Sequence, residues 1–414
     1  MPADLSTMAP LFKEDYGVGL KNQLADECPL VDLFEREDNA TWEGREHVEG
    51  IHVNRNRGVY ASAEGGAQPT AGNQQVENLR IPIRYIHGGV RITTQLIKAS
   101  KSNKGSFARG MQLEMDRLLD DLRVQRLYYM WHDGRGVRAL LNGDPGTTTT
   151  LTLDGPGGVA GADHGNRFLN VGDNIAFVSP TSGALRAGGT RRITARAAGG
   201  TTVTISTAGD TDTLDNDFVV KAYGVDASVA LSNTEWQHPP MGMLGLVDDG
   251  TFVNTYFGLS RSAFPILNST VITGVGGLSA DILQRAADVA LQVGNAKTAY
   301  LLMHPNTRRA YLTIMENDRR YSDAASRSKP DAGTAAFKGG YNSGLTFGDC
   351  PIMTDPHCPY GFLFGLDNRS ATRYVMSDGE WADEDGAVLR AATAVDTWDA
   401  TYRIYENFAV LRPN

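Results

Sequence analysis

Nine residues near the C-terminus, CPIMTDPHC, bring together Cys350, Asp355, His357 and Cys358, so thiol, imidazole and carboxylate chemistry comes first. Zinc held by one segment uses paired CxxC or HxxxH spacings. Neither occurs here: His357 and Cys358 are adjacent, and Pro351, Pro356 and Pro359 stiffen the turns. Two ordinary thiols are the expectation, with a metal or a Cys350–Cys358 disulfide as alternatives. A second candidate is VITGVGGLSADILQ at 271–284, which reads as strand, glycine turn and helix, the context of dinucleotide binding. Gly274 and Gly276 lack the third glycine, since position 279 is Ser279. The next strand, AYLLMHP, ends in His304 rather than in an acid that would hold a ribose. The simpler reading is a glycine turn that caps a helix. There is no GxSxG elbow and no HExxH, the histidines are scattered, and Asp383-Glu384-Asp385 lies in a turn where carboxylates are solvated. No catalytic, cofactor-binding or metal-binding residues are expected.

The basic residues are more informative. Only nine of the 39 are lysine, and arginine is the residue suited to bidentate pairs across interfaces. Residues 1–49 hold twelve acids against Lys13, Lys21, Arg36 and Arg45. Residues 51–110 reverse this, with Arg55, Arg57, Arg80, Arg84, Arg91, Lys98, Lys101, Lys104 and Arg109 against only Glu64 and Glu77. Residues 207–255 carry eight acids and only Lys221. A basic strip between acidic neighbours attracts nucleic acid or the acidic surface of another copy of the chain. The net charge of -9 disfavours general nucleic-acid coating but leaves room for a local basic patch; the arginine bias, which a GC-rich genome would also produce, tilts the reading toward self-association. Arg55, Arg57, Arg80, Arg84 and Arg91 are the candidate inter-subunit contacts.

These side chains need elements to position them. The chain has 414 residues, 41% hydrophobic and 21% charged, enough for two or more units with sizeable cores. No run reaches the ~18 apolar residues of a membrane helix. The N-terminus does not read as a signal peptide, and three cysteines (Cys28, Cys350, Cys358) fit a reducing compartment. IHVNRNRGVYAS and NLRIPIRYIHGGVRITTQL predict two long arms around a Gly/Pro/Gln tip. An amphipathic helix of about 39 Å is expected from Ser106 to Trp131, stopped by Gly134. Short β-branched runs between turns predict a β-rich domain at 145–226. From 278 the pattern becomes α/β: a helix with Ser279 as N-cap, the strand AYLLMHP, a second helix, a polar loop at 320–346 and three short strands. ATYRIYENFAVLRPN returns the C-terminus to a sheet.

An acidic arm, a basic hairpin, one long helix, an α/β domain and a returning strand follow in that order. The succession resembles the major capsid proteins of tailed bacteriophages with the Hong Kong 97-type fold. LLNGDPG (140–146), YLLMHPNTRRAYLTIM (300–315) and GDCPIMTDPHCPYGFLFGLDNRSATRY (348–374) are similar to segments of that family. The resemblance implies an α+β, Hong Kong 97-like fold: N-terminal arm (1–49), E-loop (50–98), P-domain with spine helix (99–144), connector (227–277), A-domain (278–376) and return strands (377–414). The block at 145–226 would be an inserted β-domain, which the minimal fold lacks. As function the resemblance implies a shell of hexamers and pentamers, an icosahedral head around double-stranded DNA, assembled in the bacterial cytoplasm, and no enzymatic activity. Implied partners are other copies, a portal, a separate scaffolding protein, an optional cement protein and packaged DNA held without sequence specificity, with no membrane and no cofactor. Maturation cleavage is not expected, nor is an isopeptide bond, although Lys98, Lys101 and Lys104 lie near the hairpin. An encapsulin-like compartment shell and a soluble α/β enzyme are the alternatives.

Overall fold

The computed structural model describes residues 30, 34–36, 44–68, 70–99, 110–159, 165–187, 189–207, 212–223, 230–294, 297–322, 345–348, 350–367, 371–384, 386–392 and 395–413. Most of the expected N-terminal arm and of the polar loop at 320–346, with Cys28, Lys101 and Lys104, lie outside these residues. A short strand β1 (Glu35–Arg36) precedes an antiparallel hairpin of β2 (Glu46–Asn54) and β3 (Gln75–Pro82), in which Val48 faces Arg80 and Ile51 faces Glu77. Next come β4 (Arg84–Thr93), helix α1 (Thr94–Ala99) and the long helix α2 (Gly110–Trp131).

The arm expected as one strand over 78–96 is two strands. Pro82 has no N–H to donate and ends the β3 ladder. Its carbonyl accepts a hydrogen bond from Asn407 Nδ2 at 2.6 Å, and β4 leaves the hairpin to pair with the C-terminal strand. The base of the hairpin lies on the chain's own core, with Leu79 and Ile81 fully buried.

Six strands follow: β5 (Val137–Leu141), β6 (Thr150–Asp154), β7 (Asn174–Val178), β8 (Arg191–Arg196), β9 (Thr202–Ile205) and β10 (Phe218–Lys221). They close a barrel in the order β10-β5-β6-β9-β8-β7, whose first strand lies ahead of the expected start at 145. Alternation along TLTLD and TVTI turns Leu151, Leu153, Val203 and Ile205 inward, where Phe177, Ile193 and Val219 complete the filling.

Helix α3 (Met243–Leu246) and the short pair β11 (Thr255–Tyr256) and β12 (Leu259–Ser260) lead to an α/β layer. It contains α4 (Ala280–Gly294), β13 (Tyr300–Met303), α5 (Pro305–Ser322), β14 (Leu345–Phe347), β15 (Cys350–Thr354) and β16 (Leu363–Leu366). The sheet order is β14-β15-β13-β16, and only β13 and β15, which α5 separates in sequence, run parallel. The chain ends in β17 (Ala371–Trp381), β18 (Arg390–Ala391) and β19 (Thr397–Val410), with β19 paired to β17, β18 and β4.

The chain divides into two compact units. Among the described residues one is built from His87–Val124 and Trp381–Tyr402, the other from Glu27–Ile86, Gln125–Glu380 and Arg403–Asn414. In the smaller unit Trp398 Nε1 donates to Thr94 Oγ1 at 3.0 Å, and Gly88 lies so close to Leu122 that a Cβ would overlap its side chain. The larger unit holds the main core, which includes Leu127, Trp131, Leu246, Leu302, Phe364 and Phe408. Helix α2 is not amphipathic from end to end: between Leu113 and Arg126 only Leu122 is buried, whereas Leu127–Trp131 are buried on every side. Among the described residues no helix is long and apolar enough to cross a membrane.

Gly242 enters α3 at the point where a Cβ would run into the carbonyls of Tyr129 and His132. Gly242→Ala is expected to force α3 away from the end of α2 and to destabilise the fold by about 3 kcal/mol, measured by denaturant unfolding. Wild-type stability in that variant would contradict the close approach.

Candidate functional site

The segment Cys350–Cys358 is the strand β15 followed by a turn at Asp355–Cys358. Asp355 is fully buried, and its Oδ1 accepts the His357 backbone N–H at 2.7 Å and lies 3.3 Å from His357 Nδ1. The Cys350 thiol donates to the Thr298 carbonyl at 2.9 Å, and both cysteines are free thiols. Burial, with the Asp355 charge as a second cause, pushes the Cys358 thiol well above its ordinary range, which suppresses the thiolate a nucleophile needs. At the glycine turn, Gly274 and Gly276 have φ of 66° and 67°, the left-handed backbone that favours glycine, with open space around each. Ser279 Oγ accepts the Ile282 N–H at 3.2 Å, so the turn delivers an N-cap to α4.

Beyond the end of α2, Arg138 of β5 donates to Glu235 from Nε at 3.0 Å and from its terminal nitrogen at 2.5 Å. Tyr129 donates to the other oxygen of Glu235 at 2.9 Å, and the guanidinium lies 4.0 Å from the Tyr128 ring centroid. Burial, the largest single effect, opposes the Arg138 charge, but Glu235 together with Tyr128 and Tyr129 raises the pKa. His132 stacks on Tyr128 with centroids 3.9 Å apart and donates from Nδ1 to the Tyr128 carbonyl at 2.6 Å. Burial pushes its pKa down to about 3, so the imidazole is neutral.

A second buried network was not foreseen. Glu406 of β19 has no solvent exposure and receives two guanidinium groups. Arg126 of α2 binds it through Nε at 2.5 Å and a terminal nitrogen at 3.0 Å, and Arg373 of β17 binds it through Nε at 2.6 Å. Arg373 also reaches Asp378 at 2.5 Å. The only sequence signal was one acid within the alternation of TYRIYENFAV.

The five candidate arginines separate into engaged and free-standing groups. Arg91 lies on β4, outside the hairpin, and forks onto Asp399 at 2.7 and 2.8 Å, which holds that carboxylate below its ordinary range. Arg84, also on β4, donates to the Gln237 carbonyl at 2.9 Å. Arg80 lies 3.7 Å from Glu46 across the hairpin. Arg55 and Arg57 stand exposed where the hairpin leaves its ladder. The tip beyond them closes on itself: Asn56 accepts the Gly58 N–H at 2.7 Å and donates to the Gly72 carbonyl at 3.0 Å, and Tyr60 OH donates to the Ala67 carbonyl at 3.2 Å. Closure leaves Val59 82% exposed and Tyr60 52% exposed. Large apolar side chains so exposed beside two arginines have the composition of a contact surface.

No protein-family model matches the chain, and no curated protein matches it. Among solved structures it is similar to a chain of the cyanophage A-1(L) capsid asymmetric unit, with a TM-score of 0.56 and 12% identity over 99% of this chain and 97% of that one. The fold is therefore that of a phage capsid chain, matched along nearly its whole length. The capsid of a native GTA particle (TM-score 0.46, 10% identity, 97% of this chain and 92% of that one) and the SrpI encapsulin of Synechococcus elongatus PCC 7942 (0.45, 10%, 99% and 92%) fall below the level at which a likeness bears on the fold.

The buried networks set two expectations. Glu406→Gln leaves two largely buried guanidinium groups facing a neutral amide and should cost roughly 3 kcal/mol, read from denaturant unfolding at pH 7. A loss under 1 kcal/mol would show that water screens the site. His132 binds a proton in the unfolded chain below about pH 6.5 but in the fold only near pH 3. Acid therefore favours unfolding through this window, and the group's stabilisation is present at neutral pH and lost as pH falls. His132→Phe keeps a stacked ring without the titration. From pH 7 to pH 5 the wild type should lose about 2 kcal/mol more than the variant. Equal losses would contradict the buried neutral imidazole.

Proposed function

We propose that this chain is the major capsid protein of a tailed phage, with the Hong Kong 97-type arrangement, and that it self-assembles through hexamers and pentamers into the icosahedral head around double-stranded DNA. The observation that carries the reading is the nearly full-length fold match to a cyanophage capsid chain. The hairpin adds to it. Its base is anchored by Leu79 and Ile81, and its closed tip holds Val59 and Tyr60 in solvent with Arg55 and Arg57 beside them. In this reading the hairpin is the E-loop and lies on a neighbouring copy, the barrel at Val137–Lys221 is the inserted domain, and the α/β layer is the A-domain near the capsomer axis. A portal and a separate scaffolding protein are its proposed partners. Net charge of -9 suits an inner wall that holds packaged DNA without gluing it.

Ion pairs at a surface contribute only about 0–1 kcal/mol each, so the arginines act by repetition around a ring. Arg80, Arg84 and Arg91 have partners within the chain, and reversing them would mix folding with assembly. Arg55 and Arg57 separate the two. Arg55→Glu with Arg57→Glu is expected to leave the thermal melt unchanged and to lower the shell yield at least tenfold in negative-stain images of protein co-expressed with its scaffold. Shells at wild-type yield would remove the tip arginines from the contact.

A further inference from the structure

Helix α4 meets the sheet with small side chains. Leu283 packs with Tyr311 of α5 and with Leu345, but Ala286, Ala287 and Ala290 share its face of the helix. Alanines at successive turns are too short to close the gap to the neighbouring elements, and a cavity of about 540 Å³ lies there. Sites for small molecules span about 300–1,000 Å³, so the volume is that of a ligand site. Ile282 of α4, Leu301 of β13 and Leu363 of β16 make its walls apolar. Among the described residues that line it there is no aspartate, glutamate, lysine or histidine, and the one charged side chain is Arg412, which is exposed. Asn306 and Thr307 add the first turn of α5, the positive end of that helix. Ser269, also at the wall, is 6% exposed, and its Oγ has no hydrogen-bond partner. A buried hydroxyl left without a partner is unfavourable, and a ligand oxygen would satisfy it.

We propose that this cavity binds a medium-chain alkyl carboxylate, its chain along the alanines of α4 and its carboxylate at Arg412. The lining selects that class on two counts. Apolar walls without acids favour a buried alkyl chain, whose transfer from water supplies the affinity. A single exposed guanidinium favours one negative head that stays partly in water, and it repels a cationic amphiphile. Nucleotides and other polyanions do not fit, because one arginine would face several charges beside apolar walls. The cavity lies within the larger unit of one chain, so the inference goes beyond the capsid reading and does not depend on it.

Isothermal titration calorimetry of the full chain with decanoate, below its micelle concentration, should give saturable binding of one molecule per chain. Arg412 is exposed, so Arg412→Gln should keep the wild-type melt. That variant is expected to bind decanoate roughly tenfold more weakly and decanol within about twofold of wild type. Ala290→Phe, which fills the cavity, should abolish binding of both in a protein that still melts cooperatively. Absence of saturable decanoate binding to the wild type would overturn the proposal. Equal decanoate affinity in wild type and Arg412→Gln would overturn the carboxylate assignment. Binding that survives in folded Ala290→Phe would overturn the cavity as its site. The titration needs no shell, so a failure of capsid assembly leaves this proposal intact, and absent binding leaves the capsid reading intact.

Discussion

One carboxylate with no access to water fixes how the central strand lies in the larger unit. Glu406 cannot be buried as a lone charge, because its desolvation would cost several kcal/mol. It is tolerated only where Arg126 and Arg373 approach together, one from α2 and one from β17. The adjacent Asn407 donates to Pro82 and accepts the Met241 N–H at 3.1 Å. Side chains alternate along a strand, so a slip of β19 by one residue would turn Glu406 away from its guanidinium partners and strand Asn407. The polar pair therefore specifies register, while Phe408, Ala409 and Val410 supply the apolar burial. Register in β19 in turn sets where β4 and β17 run, since both pair with it.

The arginines divide labour in a way that counting charges does not reveal. Arg126, Arg138, Arg261 and Arg373 are internal fasteners, and Arg261 is fully buried with its guanidinium on the Gly245, Leu246 and Asp248 carbonyls. Arg84 and Arg91 hold β4 to its surroundings. Of the five candidate arginines, Arg55 and Arg57 at the hairpin tip stand outside such bonds, next to apolar side chains in solvent. An excess of positive charge over 51–110 is thus partly neutralised within the fold, and the surface that remains for a partner is smaller and more local.

Local signals were the legible part of the sequence. Ser279 announced its N-cap, the Gly/Pro/Gln segment its tip, and the alternation in TLTLD and TVTI its barrel strands. Spacing in CPIMTDPHC also argued correctly for thiols rather than a disulfide, since both cysteines are free. Long-range partners were not legible. Nothing local distinguishes Pro82 as the end of a strand from Pro82 within an edge strand; the difference is made by Asn407, 325 residues away in sequence. Glu406 read as one polar position in an alternating strand because its partners come from elements far away in the chain. The even amphipathicity expected of α2 failed for a related reason: its last turn enters the common core, where every face is covered.

The proposal that this fold tiles a closed shell is tested most directly by imaging its assembly state. Cryo-electron microscopy of the chain, expressed alone and with the proposed scaffolding protein, should show closed icosahedral particles in which each hairpin tip contacts a neighbouring copy. Particles that close with the tips left in solvent, or a chain that stays monomeric under every condition of co-expression, would contradict the account.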